Sequence, residues 1–314
     1  MRESILPRMY TETQDVILGG LLTHAEEKKM AILLGETGEG KTITALDFCA
    51  LYPKKAYYFC CSPNTTMGSL LRFIANAIGA RPVGNNDDLQ IYLQSRLKYT
   101  TDCCFVFDEV EYLAYGNGNK IDVLRQIFDA SDIPIIFCGT YVLKDLISGI
   151  KHKKVQVTHN RPQIFRRLRK EEFDIVKEKE VFNYLNLLEK EYNVLFENKV
   201  KAELVAACRD RQSGGMGNFI EIIELLFSII RPEWKDISYQ IIKRDGRILH
   251  DHFEEFQCYM PISSEYLKFE KENDQQFKVE TNTVQTPSID VSSLETKIIT
   301  SSLLKDALKH KMTM

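Results

Sequence analysis

The chain lacks any apolar run long enough to span a bilayer, and its first residues, MRESILPRMY, are polar and interrupted by Pro7. We therefore expect neither a membrane segment nor a signal peptide. The eight cysteines show no C-x-x-C spacing of the kind that binds metals. A large charge of either sign is also missing, since the net charge is only -3. This balance argues against wholesale coating of nucleic acid, but it leaves room for a local basic surface.

The composition is otherwise that of an ordinary globular protein, with 44% hydrophobic and 27% charged residues among 314. That length suits one larger domain with one or two smaller units. Five of the cysteines lie in apolar runs, where they behave as small hydrophobes. They are Cys60, Cys61, Cys103, Cys104 and Cys138. Reduced, buried thiols of this kind indicate a cytoplasmic protein.

Residues 35–42 read GETGEGKT and match the phosphate-loop pattern G-x-x-x-x-G-K-[ST] at every required position. An apolar run precedes them as a buried strand would, and a helix-like pattern follows, which argues against a glycine-rich turn without a ligand. Glycines let backbone N–H groups turn inward around a polyphosphate, beside the positive end of the helix dipole. Lys41 would reach the β and γ phosphates of ATP, and the Thr42 hydroxyl would bind Mg²⁺. The candidate nucleotide-binding residues are Gly35, Glu36, Thr37, Gly38, Glu39, Gly40, Lys41 and Thr42.

Short apolar runs without alternation, separated by helical patterns, predict strands that are buried on both faces of a parallel sheet. The runs are 31–34, 56–61, 103–107 and 133–138, with a weaker fifth candidate at 171–176. After about residue 176 the pattern changes to amphipathic helices with no strand between them. We therefore expect the α/β class, with a mainly parallel five-stranded sheet followed by a small all-helical lid.

The same patterns divide the chain into five parts. They are an N-terminal lead (1–14), an α/β nucleotide-binding domain (15–176), a helical lid (177–232), a helical extension (233–271), and a linker with a terminal helix (272–314). Residues 272–297 are rich in Asn, Gln, Thr and Ser, as a flexible linker is. The terminal helix at 298–311 is either a docking peptide on a tether or a helix packed against the rest of the chain.

The third predicted strand ends in Asp108 and Glu109, the acidic pair of a nucleotide hydrolase. Asp108 would hold the Mg²⁺ shell and contact the nucleotide, and Glu109 would polarise the attacking water. The fourth strand ends at Thr140, which could touch the γ-phosphate or order the water at this edge of the sheet. A surface Asp-Glu turn and a plain Gly-Thr turn are the respective alternatives.

A basic cluster at 166–170 precedes the fifth strand. An arginine at this position can enter the γ-phosphate site of a neighbouring subunit and stabilise charge in the transition state. Arg167 is the first choice for this catalytic role and Arg166 the second. A solvated basic helix end is the alternative.

Together these residues resemble the AAA+ ATPases, in which phosphate loop, acidic pair, polar strand tip, arginine and helical lid occur in this order. The segments MAILLGETGEGKT, YYFCCSPNTTMGSLLRFIANAIG, FVFDEVEYL and IPIIFCGT resemble more closely the DNA-transposition ATPases typified by phage Mu B protein and TnsC. The resemblance implies an ATP- and Mg²⁺-dependent ATPase with a partly flexible C-terminal tail. Such proteins assemble on double-stranded DNA as rings or helical filaments, recruit or activate a transposase at target DNA, and disassemble on hydrolysis.

In that family, basic and polar residues of the sheet-side loops follow the DNA. The matching candidates here are Arg81, Arg96, Lys98 and Lys120, with solvated surface charge as the alternative for each. The loop 115–120 could also approach phosphates closely, because its glycines leave the backbone exposed.

One departure concerns the lid, where many AAA+ proteins carry a G-N-x-R element whose arginine contacts the nucleotide. Ile220 stands at that arginine position here, and Arg209 or Arg211 could replace it. ATP turnover would then be slow or dependent on assembly. A helicase loader or another replication or recombination adaptor of the same fold is the alternative function.

Overall fold

The computed structural model describes residues 9, 11–82, 84–100, 103–114, 119–148, 166–230 and 296–313. Within these ranges no helix is both long enough and apolar enough to cross a membrane. Residues 115–118 of the predicted loop 115–120, the extension at 233–271 and the polar linker up to residue 295 lie outside the described residues.

A five-stranded parallel sheet forms the centre of the first part, with strand order β2-β3-β4-β1-β5. Its strands are β1 Met30–Leu34, β2 Lys55–Cys60, β3 Cys103–Asp108, β4 Ile135–Gly139 and β5 Leu168–Glu172. Every residue of β1, β3 and β4 is buried, as their continuous apolar sequences require when helices cover both faces. The predicted α/β class with a mainly parallel sheet is confirmed.

Helices cover the two faces of the sheet in separate sets. Helices α1 Glu12–Glu26 and α2 Lys41–Leu51 pack on one face, around the fully buried Phe48 and Leu21. The other face is covered by α3 Met67–Ala77, α4 Asn86–Leu97, α5 Glu111–Ala114, α6 Asn119–Ser131 and α7 Tyr141–Ser148. Because β4 lies between β1 and β3, the ends of these three strands converge at one edge of the sheet.

The ends of several helices follow from local polar residues. Thr11 and Gln14 form a capping box at the start of α1, and Thr66 and Ser69 form another at the start of α3. Asn85 accepts two backbone N–H groups at the start of α4. Helix α1 was not predicted from the sequence.

The lid follows β5 and has its own apolar core around the buried Phe219 and Leu185. Its elements are α8 Glu178–Tyr192, β6 Val194–Phe196, α9 Asn198–Arg209, a 3-10 turn Arg211–Ser213 and α10 Gly215–Ile230, and the C-terminal β7 Lys297–Ile299 and α11 Ser301–Thr313 pack against them. The two short strands pair in parallel and add a small sheet to a unit predicted as helical only. Lys311 of α11 donates to Asn218 of α10, so the terminal helix is packed on the lid rather than tethered away from it.

Strand β5 begins three residues earlier than the apolar pattern at 171–176 predicted. Its sequence is LRKEE, and an edge strand carries such polar residues because only one side of it is covered by a neighbour. Phe173, which follows the strand, is the buried residue that shifted the prediction toward the C-terminal side.

Candidate nucleotide site

The phosphate loop connects β1 to α2 and needs its glycines for two different reasons. Gly38 and Gly40 have φ angles of +87° and +93°, which L side chains rarely adopt. A Cβ atom on Gly38 would collide with the carbonyl oxygen of Gly214 in the lid. A Cβ on Gly35 would lie 2.8 Å from Glu39 Oε2. The loop is therefore shaped by positive φ angles and by close packing under the lid.

Lys41 and Thr42 begin helix α2 and direct their side chains to groups of the site. Lys41 Nζ donates a hydrogen bond to the Glu36 carbonyl oxygen, at 2.7 Å. Thr42 Oγ1 donates to Asp108 Oδ2, also at 2.7 Å. The loop thus brings one ammonium group and one hydroxyl group to the carboxyl end of β3.

Asp108 ends β3, is only 1% exposed, and accepts three hydrogen bonds. Thr42 Oγ1 and Tyr58 Oη both donate to its Oδ2 at 2.7 Å, and the Glu109 N–H donates to its Oδ1 at 2.9 Å. Tyr58 lies on the neighbouring strand β2, where burial raises the pKa of its hydroxyl far above the ordinary value. The buried carboxylate is therefore held from three sides in one orientation.

Glu109 follows Asp108 in the left-handed region, with φ +52°, although it is not a glycine. Such strain at an active site is sustained by the surrounding structure. Partial burial, and then repulsion from Asp108 and Glu111, raises the pKa of the Glu109 carboxyl. Its side chain remains exposed on the edge of the sheet where the phosphate loop lies.

Thr140 follows β4, which pairs with β1 and β3, so its position beside the phosphate loop agrees with the expected order of strands. Its backbone N–H donates to Glu111 Oε1 at 3.3 Å. Glu111 Oε2 is buried without a hydrogen-bond partner and lies against Gly139, where a Cβ atom would be 2.6 Å from it. Glu111 therefore ties the tip of β4 to the acidic end of β3.

The lid contacts the phosphate loop directly. The Gly217 N–H donates to the Gly38 carbonyl oxygen at 2.9 Å. Arg211 Nε lies 2.5 Å from Glu39 Oε1 as an ion pair, without the alignment of a hydrogen bond, while its Nη2 donates to the Phe173 carbonyl oxygen at 2.8 Å. Burial raises the pKa of the Glu39 carboxyl, and the hydrogen bond from the Glu36 N–H, followed by the nearby charges of Arg211 and Lys41, opposes this rise.

Of the two arginines considered as replacements at the lid, Arg211 is the one that reaches the loop. Arg209 instead forms an exposed ion pair with Glu178 of α8. Ile220 packs against the apolar core of the lid.

The basic pair Arg166 and Arg167 lies at the opposite edge of the sheet from the phosphate loop. Leu168 pairs with Met30 at the start of β1, whereas Glu172 pairs with Leu34 beside the loop. At about 3.3 Å per strand residue, the four steps from Leu168 to Glu172 span roughly 13 Å. Arg167 Nε lies 2.7 Å from Asp129 Oδ1 of α6. The structure does not bring these arginines to the site of their own chain.

The four DNA-contact candidates do not form one surface. Arg96 and Lys98 are exposed at the end of α4, and Arg81 is exposed after α3. Lys120 is half-buried at the start of α6, where α4 and α6 are joined near their middles by a hydrogen bond between Gln90 and Gln126. At about 1.5 Å per helical residue, Arg96 and Lys120 are roughly 18 Å apart along the helix pair.

The donor set fits ATP with Mg²⁺. Glycines with left-handed backbone leave N–H groups available for phosphate oxygens, Lys41 supplies a positive charge, and the Thr42 hydroxyl and the Asp108 carboxylate meet at 2.7 Å. Oxygen ligands in small number suit Mg²⁺, which retains several waters and binds phosphate oxygens. Among the described residues no cluster of three or more His, Cys, Asp or Glu could hold a metal by itself.

Tyr58 and Glu111 were missed as site residues in the sequence analysis. Tyr58 belongs to a run of buried aromatic residues in which alternate side chains point to opposite faces, and nothing in the run marks the one whose hydroxyl meets Asp108. Glu111 stands three residues after Asp108, a spacing that could have suggested a further carboxylate at the same edge of the sheet.

Comparison with known proteins gives a consistent result. A family model described as an AAA domain matches residues 24–147. The Aeropyrum pernix ORC1 protein, solved in complex with DNA, is similar to this chain with a TM-score of 0.54 and 16% identity, over 76% of this chain and 67% of that one. A Walker-type ATPase of Pyrococcus abyssi is similar with a TM-score of 0.51 and 14% identity, over 82% of this chain and 79% of that one.

At these identities the two structural likenesses show the fold alone. No curated protein sequence matches the chain significantly. The matched residues contain the phosphate loop, the acidic end of β3 and the tip of β4. Residues 24–147 therefore match an AAA domain, and the chain is an ATPase that uses ATP and Mg²⁺.

Proposed function

We propose that this ATPase is an ATP-dependent, DNA-binding regulator of transposition that assembles on double-stranded DNA as a ring or filament. The observation that carries the proposal is the position of Arg166 and Arg167. They lie at the end of the strands away from the phosphate loop of their own chain, so a nucleotide that they contact would be that of another subunit. Such a site is complete only when subunits assemble, which suits a switch that is timed by hydrolysis.

Within this proposal each residue has a defined role. Lys41 and the loop N–H groups bind the phosphates, and Thr42 and Asp108 hold Mg²⁺. Glu109 orients and polarises the attacking water. Its raised pKa suits a carboxylate that draws a proton from that water. Thr140, at the tip of β4, orders the water or contacts the γ-phosphate.

Arg167 is the first choice for the arginine that acts on the neighbouring subunit, and Arg166 the second. The ion pair with Asp129 orients Arg167 at the start of β5. Since ATP then lies at a subunit boundary, ATP should favour the assembled form, and duplex DNA should favour it further by linkage. Hydrolysis would release the assembly from DNA and from a transposase.

Double-stranded DNA as the partner is supported by the resemblance to DNA-transposition ATPases and by the likeness to an ORC1 protein that was solved with DNA. Arg81, Arg96 and Lys98 are exposed and could contact phosphates, whereas Lys120 would need a separate contact because it lies at the other end of the helix pair. We further propose that residues 177–232 act as the lid of the nucleotide site. We also propose that the protein is cytoplasmic.

The first experiment is electron microscopy and duplex-DNA binding with ATP, with a slowly hydrolysed ATP analogue, with ADP and without nucleotide. We expect rings or filaments on DNA with ATP or its analogue alone, and binding that weakens as salt rises. Equal DNA binding in all four conditions would contradict the proposal. Co-purification with a replicative helicase rather than a transposase would favour the helicase-loader alternative.

A mixing experiment tests the shared site. Lys41→Ala has a defective phosphate loop and an intact Arg167, and Arg167→Ala has the reverse. Each variant alone should lack ATPase activity, but a mixture should recover part of it, because some boundaries then combine an intact loop with an intact arginine. A mixture with no more activity than its components would argue against action across the boundary.

A further inference from the structure

The lid meets the phosphate loop through an ion pair as well as through its backbone. Arg211, in the turn before α10, lies 2.5 Å from Glu39 of the loop. The N–H of Gly217, in the first turn of α10, donates to the Gly38 carbonyl oxygen, and two residues later Phe219 packs in the lid core. The lid thus contacts two adjacent loop residues, one by charge and one by a backbone hydrogen bond.

The charges of the loop are unusual for a site that binds a polyanion. GETGEGKT carries two carboxylates, Glu36 and Glu39, against the single ammonium group of Lys41. Glu39 is only 7% exposed, and its Oε2 accepts the Glu36 N–H at 2.7 Å. A buried negative charge this close to a triphosphate is costly unless a cation offsets it.

We propose that Arg211 makes the phosphate loop competent for ATP by neutralising Glu39, so that ATP affinity depends on the position of the lid. By reciprocity, bound ATP favours the lid position in which Arg211 meets Glu39. The lid would then respond to nucleotide through a carboxylate of the loop, not through an arginine on the nucleotide itself. The inference rests on ATP binding, and its consequence for assembly rests on the proposed function.

The guanidinium of Arg211 is held in place for this role. Its Nη2 donates to the Phe173 carbonyl oxygen at 2.8 Å, immediately after β5. Tyr141 Oη donates to the same carbonyl oxygen at 3.3 Å. The arginine is therefore bound to the sheet on one side and to the loop on the other, which fixes the charge next to Glu39.

The test is a cycle of charge-removing variants: Arg211→Gln, Glu39→Gln and the double variant, with Mg²⁺-ATP affinity measured by calorimetry. We expect Arg211→Gln to weaken ATP binding at least about tenfold, because it leaves a buried carboxylate unpaired beside the phosphates. Glu39→Gln on that background should restore affinity to within about threefold of wild type. Arg211→Lys, which keeps the charge, should lose less than Arg211→Gln.

Arg209→Gln is the matched control, because it removes a lid arginine whose partner Glu178 is exposed and away from the loop. Unchanged affinity in Arg211→Gln would overturn the inference. So would a loss that Glu39→Gln fails to restore, since that result means direct contact of Arg211 with ATP.

If Arg211→Gln alone does not fold, the double variant still tests the idea. It should fold and bind ATP if the unpaired carboxylate is the cause, and its failure to bind would count against the inference. A wild-type chain that binds ATP but never assembles on DNA would refute the proposed function and leave this result standing.

Discussion

Removing the hydroxyl of Tyr58 tests how the carboxylate of Asp108, the proposed magnesium ligand, is held. Tyr58→Phe keeps the buried ring and deletes only the donor to Asp108 Oδ2, whose bond is 2.7 Å long. A hydrogen bond to an ionised group contributes about 1.5–3 kcal/mol to stability. Asp108 retains its bonds from Thr42 and from the Glu109 backbone, so we expect the free energy of unfolding to fall by about 2 kcal/mol.

For a domain of this size each kcal/mol corresponds to about 2–4 °C in melting temperature, so the variant should melt roughly 4–8 °C lower. Differential scanning calorimetry and urea unfolding would measure the change. Tyr57→Phe is the control, because Tyr57 is also buried on β2 but lies on the other face of the sheet, stacked on Phe105.

A double-mutant cycle with Asp108→Asn assigns the loss to this pair of residues. The interaction energy between the two positions should be at least about 1 kcal/mol, since they share one hydrogen bond. A fall of less than about 0.5 kcal/mol in Tyr58→Phe, or additive losses in the double variant, would refute the view that Tyr58 fixes the carboxylate.

Three further predictions concern the loop, the acidic end of β3 and the sheet. Gly38 has a φ of +87°, and in Gly38→Ala the added Cβ collides with the Gly214 carbonyl oxygen, so the free energy of unfolding should fall by at least about 1 kcal/mol and ATP binding should weaken. Wild-type values for both unfolding and ATP binding would contradict this packing. Glu111→Gln removes a negative charge that raises the pKa of Glu109, so the acidic limb of the ATPase pH profile should move to lower pH; a shift to higher pH would be inconsistent with that repulsion. Burial raises the pKa of the Cys104 thiol well above its ordinary value, so its contribution to stability is present below about pH 8.5 and is lost as pH rises. In Cys104→Ala the alkaline decline in the free energy of unfolding should be shallower by up to about 1.4 kcal/mol per pH unit, and an unchanged slope in urea titrations would exclude this source.

The sheet and the phosphate loop could be predicted because their signals are local. The buried strands β1 and β3 read as continuous apolar runs, and the loop pattern specifies its own glycines and lysine. Strand β5 was displaced in the prediction because an edge strand with the sequence LRKEE carries no apolar pattern. Strands β6 and β7 have three residues each and pair across a long stretch of chain, so neither has a signal of its own.

The contacts around the site were harder to predict, since they join distant parts of the chain. The ion-pair partner of Arg211 depends on whether the lid reaches the phosphate loop. Only the folded chain shows that this partner is Glu39. The Tyr58 hydroxyl meets Asp108 because β2 and β3 are neighbours with Cys60 opposite Asp108, and pairing of strands is not visible in either sequence. Residue identity suggested the chemistry, whereas the partners depended on tertiary structure.

Strand β5 acts as a spacer of fixed length between two boundaries. Arg167 precedes it, and Phe173 follows it with a carbonyl oxygen that binds Arg211 of the lid. The ladder with β1 continues to the Phe173 N–H, which donates to Leu34 at 2.9 Å, so the strand cannot slide by part of a residue. In the proposed assembly, an arginine that is drawn toward a neighbour's nucleotide would therefore pull on the same rigid segment that anchors the lid. One inserted residue in β5 would keep both Arg167 and Phe173 but would change the distance and the register between them.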